Sequence, residues 1–130
     1  MGTSPVAQAL RALAEPLDWL VLDEVSDHEE RTQHGPYVII ATQGQGDLDA
    51  LKSALSGQTA HIGFVGSRRK FAALGDKLSA AGFETSAINK IHAPAGLKLG
   101  AITPEEIALS ILAELVQLRR KPTEVADDTV

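Results

Sequence analysis

The sequence predicts an α/β domain on a mainly parallel sheet, and three observations point to it. Short runs rich in β-branched residues, Tyr37-Val38-Ile39-Ile40-Ala41 and His61-Ile62-Gly63-Phe64-Val65, alternate with segments of helical apolar spacing. That order is the one that parallel pairing through right-handed crossovers requires. Aromatic residues make up 4% of the chain and hydrophobic residues 44%. The core therefore rests on Leu, Ile, Val and Ala, which suits helices packed on a parallel sheet better than a β-sandwich. Finally, helix starts and stops are written out by caps, prolines and glycines.

Ser4-Pro5 reads as an N-cap followed by a proline at the first helical position, with Val6, Ala9, Leu10 and Leu13 on one face and Pro16 ending the helix. Trp19-Leu20-Val21-Leu22 reads as a buried strand, and residues 23–36, with five carboxylates, as a solvated acidic loop. After the strand at Tyr37, Asp47 begins a helix to about Leu55 that Gly57 stops. After the strand at His61, Ser67 caps a helix carrying Phe71, Leu74 and Leu78, and Gly82 ends it. Residues 83–103 are less regular. Thr103-Pro104-Glu105-Glu106 combines an N-cap, an N1 proline and a capping-box glutamate. Ile107, Ile111, Leu115 and Leu118 then form an apolar face, and Pro122 breaks the helix. Residues 1–121 are expected to be one domain and 122–130 an acidic, flexible tail.

No strand precedes the first helix, whereas a nucleotide-binding fold of this type opens with one. The sheet would lack a central member unless its strands close up or another chain supplies one, so self-association into a homo-oligomer is expected.

The formal net charge of −5 argues against attraction to nucleic-acid phosphates. The absence of cysteine excludes disulfides, thiolate metal sites and thiol nucleophiles. No apolar stretch is long enough to span a bilayer and no signal peptide opens the chain. A cytoplasmic protein without nucleic-acid or membrane partners is expected.

In an open α/β sheet, ligands bind outside the carboxyl ends of the strands. The turn after Val65 is the most specific candidate. Gly66 permits close backbone approach, Ser67 offers a hydroxyl, and the amides of the next helix point outward. Arg68, Arg69 and Lys70 oppose the helix dipole in its first turn, a penalty that a bound phosphate would reverse. The Walker A spacing is absent. Thr42, Gln43 and Gly44 follow the first strand and should lie beside that turn. Asp47 reads either as a helix cap or as an acid. His92, in a loop shaped by Pro94, Gly96 and Gly100, either contacts a ligand or is satisfied locally. His61 reads as packed or edge-exposed, and His28 and His34 as solvated. No metal-ligand spacing and no catalytic Ser/His/Asp set is evident.

Four segments together resemble the C-terminal Rossmann domain of the XdhC/CoxI family, accessory proteins that mature molybdenum-containing hydroxylases such as xanthine dehydrogenase and carbon monoxide dehydrogenase. They are Tyr37–Thr42, His61–Lys70, His92–Leu97 and Gly100–Ile111, in family order and spacing. The resemblance implies a Rossmann-like three-layer domain without its usual first strand. It also implies a non-enzymatic maturation factor that binds molybdenum cofactor, as molybdopterin or its dinucleotide, or assists its insertion. Gly66, Ser67, Arg68 and Arg69 would hold the phosphate end, while Thr42, Gln43, Gly44 and His92 border the pterin. The implied partners are a molybdenum hydroxylase client and a separately encoded N-terminal XdhC-type protein. The sequence departs from the pattern in two segments. Gly2-Thr3-Ser4-Pro5-Val6-Ala7 keeps one glycine of the family's Gly-Ala-Gly-His-Val-Ala, and Gln43 and Gln45 replace histidines. Without cysteine, the chain transfers no sulfur through its own thiol. Two other readings stand beside this one: an NAD(P)-binding oxidoreductase or nucleotide sensor, and a scaffold acting only through protein partners.

Overall fold

The computed structural model describes residues 2–17, 36–44 and 46–125, without the side chains of 121–125. The strand expected at Trp19–Leu22, nearly all of the acidic loop and Gln45 lie outside the described residues. So do residues 126–130 of the expected tail.

Helix α1 (Pro5–Ala14) starts as its sequence dictates, with the Ser4 side chain accepting from the Ala7 amide and proline in the first turn. Pro16 falls in a short 3-10 turn, Glu15–Leu17. Strand β1 (Tyr37–Ile40) leads to helix α2 (Asp47–Ser56), and strand β2 (His61–Phe64) leads to helix α3 (Arg68–Ala80). Ser67 caps α3 by accepting from the Lys70 amide at 3.1 Å. Two helices, α4 (Thr85–Ile88) and α5 (Pro104–Val125), complete the chain. At the start of α5 the expected capping box is formed. Glu106 N–H donates to Thr103 Oγ1 at 3.1 Å, and Thr103 N–H donates back to Glu106 Oε1 at 3.1 Å. Pro122 does not stop α5, which runs on to Val125. Proline's fixed φ is itself helical, so the chain continues at the loss of one amide bond.

β1 and β2 pair in parallel, with Tyr37 opposite His61 and Ile40 opposite Phe64. Residues 91–95 extend this sheet beyond β2. His92 N–H donates to Ile62 O, Phe64 N–H to His92 O and Ala95 N–H to Phe64 O, each at 2.9 Å. The stretch expected to be irregular thus contains α4 and a third sheet position. Neither has a sequence signature, because α4 is a single turn and the pairing is one bridge long.

Side chains alternate across the sheet and so build two cores. On one face Val38, Ile40, Ile62 and Phe64 pack with Leu51 of α2, Leu74 and Leu78 of α3 and Ile88 of α4. On the other, Tyr37, Ile39 and Val65 meet Val6 and Ala7 of α1 and Ile111, Leu112 and Leu115 of α5. The domain therefore has the expected three layers. Fully buried residues such as Phe64, Ile40, Leu51 and Ile111 anchor it, each worth about 1.5–3 kcal/mol of transfer free energy. Among the described residues the sheet has two regular strands, and none precedes α1. No helix among them is long and apolar enough to cross a membrane.

Candidate functional site

Because β1 and β2 are parallel, the segments that follow them leave the sheet at the same end. Thr42, Gln43 and Gly44 come off β1, while Gly66, Ser67, Arg68 and Arg69 come off β2, so these seven predicted residues share one edge. The two turns touch: a Cβ placed on Gly44 would lie 3.7 Å from Lys70 Nζ. Gln43 and Gly44 both have positive φ, 50° and 89°, which turns the chain sharply before α2.

A buried carboxylate joins the two turns. Asp47 is 6% exposed. It accepts from the Thr42 hydroxyl and from the Gly44 amide at 3.1 Å, and Lys70 Nζ lies 3.1 Å from its Oδ2. Burial by itself pushes this carboxyl upward. The hydrogen bonds from Thr42, Lys70 and Gly44 and the Lys70 charge together outweigh burial and hold it below its ordinary value. Asp47 is the first residue of α2 and Gly46 its N-cap, so its side chain ties loops together rather than capping its own helix. The cluster also commits Gly44 N–H and Lys70 Nζ to an internal acid.

Ser67, Arg68 and Arg69 are exposed at this edge, as are Gln43 and Gly44. Neither arginine pairs with a carboxylate among the described residues. The helix amides here and the two guanidinium groups are suited to an anion. Gly66 has a further reason to be glycine. A Cβ there would come within 2.5 Å of Phe64 Cε2, so the turn rides directly on a buried ring. Gly2 and Ser4 reach the same edge. Ser4 Oγ donates to Ala41 O at 2.6 Å, and a Cβ on Gly2, whose φ is 120°, would overlap that carbonyl. The one glycine kept from the family's first turn thus lets the chain start lie flat on the end of β1.

His92 is drawn elsewhere. Its Nδ1 lies 2.5 Å from Oε2 of Glu114, so its imidazole is engaged by α5 and not by the turn residues with which the sequence grouped it. Beside it stands His61, whose ring centroid is 6.0 Å away at an interplanar angle of 81°. His61 Nε2 is 3.7 Å from Glu114 Oε1, too long for a hydrogen bond, and it is buried with no hydrogen-bond partner among the described residues. Burial lowers the His61 pKa most; Glu114 pulls it back up, and neighbouring His92 adds to the lowering. Glu114 itself is 4% exposed and accepts the Gly96 amide at 3.1 Å. No spacing in the sequence exposes this trio, because its members lie on β2, on the sheet-extending segment and on α5. The hint was Glu114, a carboxylate on the apolar side of α5 beside Ile107, Ile111 and Leu118.

A three-layer parallel α/β core with an anion-ready turn at its carboxyl edge defines a Rossmann-type domain. The profile of the XdhC Rossmann domain family matches residues 1–115, and the chain belongs to that family. The Escherichia coli K12 protein YqeB, described as uncharacterized, is 40% identical over 83 residues, which are 64% of this chain and 15% of YqeB. The crystal structure of a xanthine dehydrogenase from Bacillus halodurans superposes with a TM-score of 0.71 at 24% identity, over 98% of this chain and 45% of that one. At that identity the likeness concerns the fold. The chain spans less than half the length of either relative.

Proposed function

We propose that this chain is an accessory component for a molybdenum-containing hydroxylase of the xanthine dehydrogenase type. It takes part in binding or inserting molybdenum cofactor rather than in turning over a metabolite. Membership of the XdhC family and the name of the B. halodurans neighbour support the accessory role. The observation that carries the ligand assignment is the pair of exposed side chains Arg68 and Arg69 in the first turn of α3, which pair with no carboxylate among the described residues. A phosphate or pyrophosphate seated there would offset two like charges and the dipole they oppose. Ser67 and the backbone at Gly66 would complete the seat, with Thr42, Gln43 and Gly44 beside it. Because Lys70 and the Gly44 amide already serve Asp47, the two arginines carry most of the ligand charge. His92 stands with Glu114, so it is left out of this seat.

The proposed partners are the client hydroxylase and a separately encoded N-terminal XdhC-type protein. Self-association into a homo-oligomer remains part of the proposal.

The test is retention of molybdopterin by the purified chain, followed by its fluorescence after release. Wild type should retain cofactor and the Arg68→Ala/Arg69→Ala double variant should lose it. Equal retention by both would remove the phosphate seat from this turn. Calorimetric titration with NAD(P) is the parallel arm. Saturable nucleotide binding without cofactor retention would favour the nucleotide reading instead.

A further inference from the structure

We propose that His61, His92 and Glu114 form a binding site for a divalent first-row transition cation, on the face of the sheet covered by α5. The site is distinct from the turn at Gly66.

Three features of the geometry carry this. One ligand atom from each residue lies within 4.8 Å of the other two. Adjacent ligands in a tetrahedral site with bonds near 2 Å stand roughly 3.3 Å apart; His92 Nδ1 stands 2.5 Å from Glu114 Oε2 and His61 Nε2 3.7 Å from Oε1, so a shared ion requires these side chains to rotate onto it. Then there is the condition of His61. Its Nε2 is buried, faces the Glu114 carboxylate and has no hydrogen-bond partner among the described residues. A buried imidazole nitrogen without a partner costs free energy, and a cation would supply what the protein does not. Last is the support behind the ligands. Gly96 N–H donates to Glu114 Oε1 at 3.1 Å, and the His61 ring is braced edge-on by Tyr37 at 6.3 Å. Such outer contacts fix ligand orientation in metal centres.

The donor set names the class of ion. Two imidazoles and one carboxylate suit zinc or ferrous iron, with at least one coordination position left open, and are a poor match for magnesium or calcium, which prefer all-oxygen sites. The site is accessible. The His92 side chain is 47% exposed, and His61 lines an open groove of about 470 Å³ with Tyr37, Thr59 and Leu118. Two neutral imidazoles and one carboxylate leave a bound dication with net positive charge, so the open position would take water or an anionic ligand.

The experiment is titration of the untagged, metal-stripped chain with Zn²⁺, Co²⁺ and, without oxygen, Fe²⁺, using Mg²⁺ as a control. The expected result is one transition ion per chain, with Co²⁺ giving visible bands of an N/O-coordinated centre. His92→Ala and Glu114→Gln should each weaken binding about tenfold or more. The double variant His28→Ala/His34→Ala should bind as wild type does. Should a variant fail to fold, NMR of the unmodified chain still decides. The imidazole resonances of His61 and His92 must shift with one equivalent of Zn²⁺ while those of His28 and His34 stay in place. Absence of stoichiometric binding, Mg²⁺ binding as tightly, or shifts confined to His28 and His34 would each overturn the assignment.

Discussion

Asp47 and Lys70 are joined across the carboxyl edge of the sheet, Oδ2 to Nζ at 3.1 Å, and this contact locks the loop after β1 to the first turn of α3. Asp47 is buried and also holds the Thr42 hydroxyl and the Gly44 amide. Asp47→Ala should therefore strand several polar groups at once and destabilise the fold by about 1–3 kcal/mol. Lys70→Met should cost less, because two hydrogen bonds to the carboxylate survive. Urea unfolding of the two variants checks the order.

The same carboxyl gives a signed pH dependence. Its folded pKa lies below its ordinary value of 3.8, so the unfolded chain takes up the proton first as pH falls. The stability contributed by ionised Asp47 is complete above that ordinary value and is lost as pH drops through the lowered one. Asp47→Asn should be less stable than wild type at neutral pH and should converge toward it in acid. A constant difference between the two unfolding midpoints across that range would contradict this.

Gly66 and the neighbouring arginines should separate cleanly into packing and binding. Gly66→Ala drives a methyl group into the Phe64 ring, and overpacking of this kind costs about 1–3 kcal/mol. Arg68→Ala and Arg69→Ala, on exposed positions, should stay within about 0.5 kcal/mol of wild type. Thermal unfolding without ligand measures both. If Gly66→Ala is neutral, the turn is not held against the ring.

The start of α5 offers a local test. Thr103→Ala removes a hydroxyl acceptor from the first turn and should cost about 1 kcal/mol. The Ile102 and Thr103 amides hold the Glu106 carboxyl below its ordinary value of 4.5. A carboxyl-carbon NMR titration should place the Glu106 midpoint below that ordinary value.

Leu51 reports on the core under α2. It is fully buried among Val38, Ile40 and Phe64, so Leu51→Ala should cost about 2–5 kcal/mol. Chemical denaturation with an unchanged m-value would show that the loss is one of stability alone.

Much of this domain is local in origin and was therefore legible in the chain. Ser4-Pro5, Ser67 and the Thr103–Glu106 box each act within one turn, so sequence spacing alone locates the starts of α1, α3 and α5. The short β-branched runs at Tyr37 and His61 give both strands. That the turn at Gly66 to Arg69 lies beside Thr42 to Gly44 follows from parallel strands sharing an exit edge. The long-range relations were a different matter. That Asp47 serves Thr42 and Lys70 rather than its own helix depends on how α2 and α3 pack. The sheet position of His92 rests on hydrogen bonds to β2 that no apolar pattern announces. His61, His92 and Glu114 are separated by 31 and 22 positions in the sequence, and only the closing of α5 over the sheet brings their ligand atoms together. Residue type and spacing determined the elements and the adjacency of the two turns. Tertiary packing decided which buried polar groups meet, because a carboxylate on a helix face has no partner until another layer supplies one.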